Sequence, residues 1–396
     1  MQRTQRNKAK SFGHRARLAV PVFAVLLAAL SFASCDQSAI FYDISNETKP
    51  KDPIIPGSPS RMVMFNSKMW VSNGTLYSFD GSGWTKERSP TGGTIRSLAV
   101  AGGRLYALTI DGGSTTRTRI WRTDDGANWT AITIGASASN YSFLESLYAA
   151  GASGSETLFI GAHVPAGEAD PVTAYGVLYV DGTSIEAVGS MTGLAAKDAA
   201  GALIGAAWDG ARYYLATTMD GIFSSAAANS GYAIVAGTAN KDYLLSGLIA
   251  VGSTVVAVGR GEVILYGSSA GFAAQSFSSK DTIFTGALAV WDDGDAANGS
   301  PDLLLAGIDE DDNSYVFGYK EIKLTAGAFP SPPVLKNPGE GSPTTVSDED
   351  TYDSTLGQVA VNHLFQYNSG GTRILFASTF SEGLWSYRDE EWNAED

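Results

Sequence analysis

The chain is 396 residues long, sets 41 Asp and Glu against 27 Lys and Arg for a formal net charge of −14, and holds 45 glycines but one cysteine. So acidic a body is repelled by phosphate backbones and anionic headgroups, which disfavours nucleic-acid binding and electrostatic adsorption to membranes. One cysteine excludes any intrachain disulfide.

Residues 1–34 divide into a basic stretch, with Arg3, Arg6, Lys8, Lys10, Arg15 and Arg17, and an uncharged apolar run over 18–34. This is the layout of a signal peptide. The run is shorter than the roughly 20 apolar residues of a membrane-spanning helix. It closes on Leu30-Ser31-Phe32-Ala33-Ser34-Cys35, which resembles the lipobox of bacterial lipoproteins. Ala33, Ser34 and Cys35 match, while Phe32 stands where that family usually carries a small aliphatic residue or leucine. The resemblance implies cleavage after Ser34, diacylglycerol and palmitate chains on Cys35, and a protein anchored to a membrane of the bacterial cell envelope, periplasmic or at the surface. Two or three acyl chains anchor stably where one holds marginally. Loss of the six signal-peptide cations, with no acid among them, takes the net charge from −14 to −20.

Residues 35–61 read as the lipidated cysteine and a tether, since Pro50, Pro53, Pro56 and Pro59 favour extended, semi-rigid backbone. Within it, 39–44 is apolar enough to form a strand that docks on the following domain.

From 62 to 393, short runs of Val, Ile, Leu, Tyr and Phe alternate with clusters of Gly, Asp, Asn and Ser, the pattern of many short antiparallel strands. LYSFDGSGWT at 76–85 matches IWRTDDGANWT at 120–130, with Asp80-Gly81 over Asp125-Gly126 and Trp84 over Trp129 at a spacing of 45 residues. LWSYRDEEWN at 384–393 repeats the frame around Trp392. Such a period, with strands throughout, marks a β-propeller. Units of four strands begin near Met62, Ile95, Ser142, Leu203, Ser246, Thr285 and Gly357. The expected fold is therefore all-β, a seven-bladed propeller over 62–393. The long third unit and the 39–44 strand leave six or eight blades as alternatives.

The turn motif resembles the Asp-box of sialidase-like, BNR-repeat propellers, shortened by one residue between glycine and tryptophan. The resemblance implies a structural role for Asp80, Gly81, Trp84, Asp125, Gly126 and Trp129. The aspartate would bond turn amides in the hairpin of the outer strands, and the tryptophan would pack between blades. At the seventh unit Asp389-Glu390 replaces Asp-Gly, so only the packing role passes to Trp392.

Sialidase chemistry itself is not expected. Those enzymes clamp a carboxylate with three arginines, whereas Arg96 and Arg104, near the right early position, have the wrong neighbours. The G-x-S-x-G run at 267–271 precedes a strand pattern where a nucleophile elbow needs a helix, and so reads as a hairpin turn. His163 and His363 are the only histidines after the signal, too few for a zinc cluster. No cofactor is expected beyond structural calcium. Asp292, Asp293, Asp295 and Asn298 in one turn, and Asp309 to Asp312 in the next hairpin, offer the oxygens calcium takes, although acidic hairpin tips are usually just solvated. Trp70, Trp121, Trp208, Trp291 and Trp385 fall outside the motif, and Trp291 is the candidate partner-contact residue. A Pro-rich, then acidic stretch at 329–356 breaks the period and reads as a long insertion loop, a surface excursion or a docking flap. The expected function is that of a membrane-anchored, non-catalytic interaction module for a protein or glycan, as in an envelope assembly scaffold. The alternative is a glycan-active hydrolase or lyase using carboxylates in the propeller channel.

Overall fold

Seven sheets follow one another along the chain, each with an antiparallel set of consecutive strands hydrogen-bonded in sequence order. In this computed structural model the described residues are 54–395, apart from 92, 111–117, 165–173, 190, 193–200, 240, 260–262, 277–282, 293–300, 312–313, 326, 336–359 and 389–390. Cys35, the signal peptide, the 39–44 strand, most of the tether, Asp293, Asp295, Asn298 and most of the 329–356 insertion lie outside them.

The first strands of the seven sheets are Val63–Phe65, Thr94–Ala101, Ser142–Ala150, Leu203–Trp208, Leu245–Val251, Ile283–Trp291 and Val361–Ser369. Each pairs antiparallel with a second strand rich in buried apolar residues. In the second blade Ala101 pairs with Arg104 across Gly102 and Gly103, whose φ values of 54° and 71° are the left-handed pair that a two-residue hairpin demands.

A blade has two faces, and both must be covered. Seven buried clusters do this, one for each neighbouring pair of blades. Leu108 and Ile120 of the second blade pack with Leu158 and Ile160 of the third. The set that closes the ring joins Met69, Val71 and Phe79 of the first blade to Ile374, Phe376 and Leu384 of the seventh. Every sheet therefore has apolar neighbours on both sides, and the fold holds by blade-on-blade burial.

The ring also closes through its ends. The Ile54 amide donates to the Glu395 carbonyl (2.8 Å), and Gly383 and Leu384 donate to the carbonyls of Gly57 and Ile55 (2.8 and 3.2 Å). The Trp84 indole donates to the Glu395 carboxylate at 2.6 Å. Ile55, within the stretch read as tether, is fully buried against the seventh blade.

Two blades gain a fifth strand that the repeat does not encode. Thr133–Ile134 and Met191–Thr192 each pair in parallel with the outermost strand of the blade that follows them in the chain. The sixth blade shows three described strands. Phe329 and Leu335, the start of the expected insertion, are buried in the core between the fifth and sixth blades, with the Phe329 ring 5.3 Å from Tyr266.

Candidate functional site

The seven first strands converge on the propeller axis, where backbone crowding is severe. A Cβ on Gly247 would lie 2.6 Å from the Gly286 carbonyl of the next blade, so small residues are required there. Two cavities open along this axis. One, of about 540 Å³, is walled by Leu98, Leu147, Ile249, Leu288, Val290 and Leu364, with further residues from every blade. The other, of about 420 Å³, is polar. Arg61, Tyr148 and His363 line both and stand at their junction. Among the described residues no Asp or Glu lines either cavity.

The polar cavity owes its lining to a repeated irregularity. In six of the seven first strands the pairing register with the second strand slips near the N-terminal end, between Ile95 and Ser97, Phe143 and Leu147, Leu203 and Gly205, Leu245 and Gly247, Phe284 and Leu288, and Val361 and His363. Each slip is a β-bulge, which inserts unpaired residues and re-aims their side chains. The bulged residues Arg96, Ser146, Ile204, Ser246, Thr285 and Asn362 all line the polar cavity. The first blade has no such slip. There the incoming chain supplies Arg61 at the same level.

Hydrogen bonds fix the walls. Ser246 Oγ donates to the Phe284 carbonyl (2.9 Å), tying the fifth bulge to the sixth, and Ser97 Oγ accepts the Leu147 amide (3.1 Å), tying the second blade to the third. Asn362 donates to the Thr379 carbonyl (3.2 Å) and accepts from the Ser378 hydroxyl. At the junction, the Arg61 guanidinium lies over the Tyr148 ring, 4.8 Å from its centroid. Burial pushes the Tyr148 phenol above its usual pKa, and the Arg61 charge pulls it partly back. Burial, with the Arg61 charge adding to it, holds His363 well below the usual histidine value, so its ring is neutral and its Nδ1 accepts the Met62 amide at 3.0 Å.

The motif residues lie in the outer hairpins, away from the axis. Asp80 Oδ1 accepts the amides of Ser82 (2.9 Å) and Gly83 (3.1 Å), and Asp125 Oδ1 accepts those of Ala127 and Asn128 (both 2.8 Å). The Ser82 hydroxyl, which donates to the same Asp80 oxygen at 2.7 Å, and then these amides lower the Asp80 pKa to about 2, and the amides of Asn128 and Ala127 depress Asp125 further. Gly81 and Gly126 take positive φ, and the Trp70 ring packs so close to Gly126 that a Cβ there would sit 2.6 Å from it. Trp84 packs on Phe79 and on Phe376 of the seventh blade, Trp129 joins the core between the first and second, and Trp392 meets Tyr319 of the sixth.

Trp291 ends the first strand of the sixth blade and is half-buried against the seventh. Beside it, Asp292 exchanges hydrogen bonds with Gln366 (3.2 and 2.8 Å) and pairs with Arg373 at 3.1 Å. Its carboxylate thus carries a cation from its own protein. Among the described residues no group of three His, Cys, Asp or Glu is arranged to hold a metal ion. Trp70 and Trp121 are buried, and each indole N–H is bonded, to Phe65 O and Thr109 Oγ1. Residues 267–271 form the hairpin in which Ser268 pairs with Gly271.

Sequence reasoning missed the role of Arg61, Tyr148 and the bulge residues, and it weighed His363 and Arg96 only for other chemistries. A signal was present. A polar residue or pair precedes the apolar run of five first strands, as in Arg96-Ser97-Leu98, Ser146-Leu147, Ser246-Gly247-Leu248, Thr285-Gly286 and Asn362-His363-Leu364.

Among known proteins, the model of the TP013X lipoprotein family matches residues 6–241. No curated protein matches the chain in sequence. Among solved structures, a GH74 enzyme from Niastella koreensis superposes with a TM-score of 0.54 at 13% identity, over 87% of this chain and 55% of that one. The WD40 β-propeller domain of Doa1 gives 0.50 at 12% identity, over 85% and 93%. This chain thus spans about half the length of the GH74 enzyme, and at these identities the likeness is one of fold.

Proposed function

The chain belongs to the TP013X lipoprotein family, and from that premise we propose that it is a lipid-anchored, extracytoplasmic binding module whose ligand or partner engages the axial mouth of the propeller. Cys35 carries the acyl chains in this reading, residues 36–53 lead away from the membrane, and the propeller beyond them meets a protein or glycan partner. The turns at Asp80 and Asp125 are hairpin locks of the Asp-box kind, with Trp84 and Trp129 as blade spacers. None of these six motif residues, Gly81 and Gly126 included, touches the ligand.

One observation carries the choice of binding over catalysis. Six bulges and one incoming arginine contribute to a cavity lined by hydroxyls, two amides and two guanidinium groups, with no carboxylate among its described lining residues. A glycan hydrolase of the common kind needs two carboxyl groups about 5–9 Å apart across its substrate. Among the described residues neither axial cavity offers such a pair.

The test has two parts. Expressed in a bacterium and fractionated, the full chain belongs with the membranes and Cys35→Ala with the soluble fraction. Full-length protein is then used as bait on detergent-solubilised envelopes, alongside a variant lacking 336–356, a deletion that spares the buried Phe329 and Leu335. Recovery of one partner by the wild type supports the reading, and its loss on deletion moves the contact from the mouth to the insertion. Recovery of nothing, together with turnover of envelope glycan, overturns it.

A further inference from the structure

We infer that the sector formed by the first two blades rests on the anionic lipid headgroups of the membrane that holds Cys35, through the cations Lys86, Arg88 and Arg119. The inference rests on the lipid-anchored reading above and deepens it, adding a second membrane contact that sets which edge of the ring faces the bilayer.

The net charge disfavours adsorption of the chain as a whole, but the charge is unevenly placed. Residues 62–131, which build the first two blades, hold eight Lys and Arg against five Asp and Glu, a balance of +3. Residues 132–396 hold ten against 32, a balance of −22. Near a negative surface such a body turns its basic sector inward and its acidic remainder away.

The acids of these two blades are already engaged. Glu87 pairs with Lys68 at 3.6 Å and accepts the Ser78 hydroxyl at 2.6 Å, Asp124 pairs with Arg104 at 2.7 Å, and Asp80 and Asp125 hold their hairpin amides. The fifth, Asp111, lies outside the described residues. Lys86, Arg88 and Arg119 are exposed, and among the described residues none of the three has a carboxylate within ion-pair distance.

The fold gathers these three at one end of adjoining blades. Lys86 closes the outer strand of the first blade opposite Tyr77, and Arg119 stands near the start of the third strand of the second blade opposite Thr109. Because the strands alternate in direction, both lie at the end where the inner strands begin, whereas Asp80, Asp124 and Asp125 sit in the hairpins at the other end. The Trp129 indole donates to the Arg88 carbonyl at 3.0 Å, which places Arg88 at the seam of the two blades. Ile120 packs toward the third blade, so Arg119 beside it points to that same seam.

The tether reaches the ring nearby. The Ile54 amide donates to Glu395, which is bonded to Leu384 at the start of the third strand of the seventh blade, the neighbour of the first. Cys35 lies 19 residues before Ile54, and a fully extended chain of that length spans at most about 65 Å. The anchor therefore keeps the sector within reach of headgroups, and at such an effective concentration a few weak contacts suffice. Each cation near an anionic surface contributes about fivefold in affinity.

The experiment reconstitutes the lipidated full-length protein into vesicles of phosphatidylcholine, with or without phosphatidylglycerol, that carry a headgroup-linked quencher. Cys35 is the sole cysteine and is acylated in this reading, so an introduced cysteine takes the fluorophore alone. Thr85→Cys reports the sector, and Ala211→Cys, exposed in the inner hairpin of the fourth blade at the opposite end, is the control. Quenching at the first position should rise about fivefold or more with phosphatidylglycerol and fall back as salt rises, while the second stays low throughout. Lys86→Gln/Arg88→Gln/Arg119→Gln should abolish the rise, and Arg88→Lys/Arg119→Lys should keep it, since headgroup attraction needs the charge and not the guanidinium fork. Thermal unfolding of each variant reports whether the ring is intact. Equal quenching in the two vesicles, equal quenching at the two positions, or a rise that survives the triple Gln change overturns the inference. If quenching stays low while the protein remains on the vesicles, this inference falls and the anchored reading stands; if the wild type leaves both vesicles, the anchored reading fails as well. Loss of an envelope partner by the triple Gln variant, with no lipid quenching in the wild type, would assign the sector to an acidic protein and also overturn the inference.

Discussion

The backbone N–H of Met62 donates to Nδ1 of His363 at 3.0 Å, across 301 positions of sequence. The bond joins the entry to the first blade with the bulged inner strand of the last, at the junction of the two axial cavities. It needs a neutral imidazole, and burial keeps His363 neutral.

That makes ring stability sensitive to acid. The folded-state pKa of His363 lies below that of the unfolded chain, near 6.5. As pH falls through about 6.5 the unfolded chain takes up a proton that the folded one refuses, so stability is full above that point and declines below it. His363→Asn keeps an acceptor for Met62 and does not titrate. Urea midpoints measured from about pH 8 to pH 5 should fall more steeply in the wild type than in the variant. Parallel profiles would show that His363 is not the group responsible.

Ring closure depends on the apolar seam between the first and seventh blades. Phe376 is fully buried there against Phe79 and Trp84, whereas Phe380, in the same blade, is 54% exposed. Phe376→Ala should cost about 3–5 kcal/mol in denaturant unfolding, and Phe380→Ala no more than about 0.5 kcal/mol. Equal losses would mean that the seam does not hold the ring.

Close backbone approach at the axis makes a second, purely steric prediction. Gly247→Ala drives a methyl to 2.6 Å from the Gly286 carbonyl and should destabilise by about 1–3 kcal/mol. Gly83→Ala, with nothing within 4 Å of the added carbon, should be neutral or stabilising by up to about 1 kcal/mol. Calorimetric melting of the two variants separates the cases, and a reversed order would refute the crowding.

The outer hairpins make the last. Asp80 holds the Ser82 hydroxyl and the turn amides of Ser82 and Gly83 as an ionised carboxylate, and its pKa near 2 reflects those bonds, the hydroxyl's first. A depressed acid stabilises above its unfolded value and loses that effect as pH drops through the folded one. In Asp80→Ala, hydrogen exchange at Ser82 and Gly83 should quicken while the strands beyond stay protected. Unchanged exchange would show that the carboxylate is not what fixes the turn.

Much of the frame was legible because a propeller writes itself as repetition. The unit starts near Ile95, Ser142, Leu203 and Ser246 coincide with, or fall one residue from, the start of observed first strands, since hydrophobic alternation and Gly-rich turns act locally. The two parallel fifth strands were not legible. Thr133–Ile134 and Met191–Thr192 are two residues each, too short to carry a period, and their pairing depends on where the chain passes a neighbouring edge. Nor was the use of 54–57 as a closing segment, because proline spacing describes backbone stiffness and not what lies beside it.

By itself the sequence determined the all-β class and the blade repeat, both of which depend on order and spacing along the chain. Only the tertiary structure decided the site. Arg96, Ser146, Ser246, Thr285 and Asn362 come from five different blades, and what unites them is a register slip at one level of each. A bulge is a relation between two paired strands, so no stretch of one strand announces it. A cavity on the axis exists only once seven such strands have closed around it.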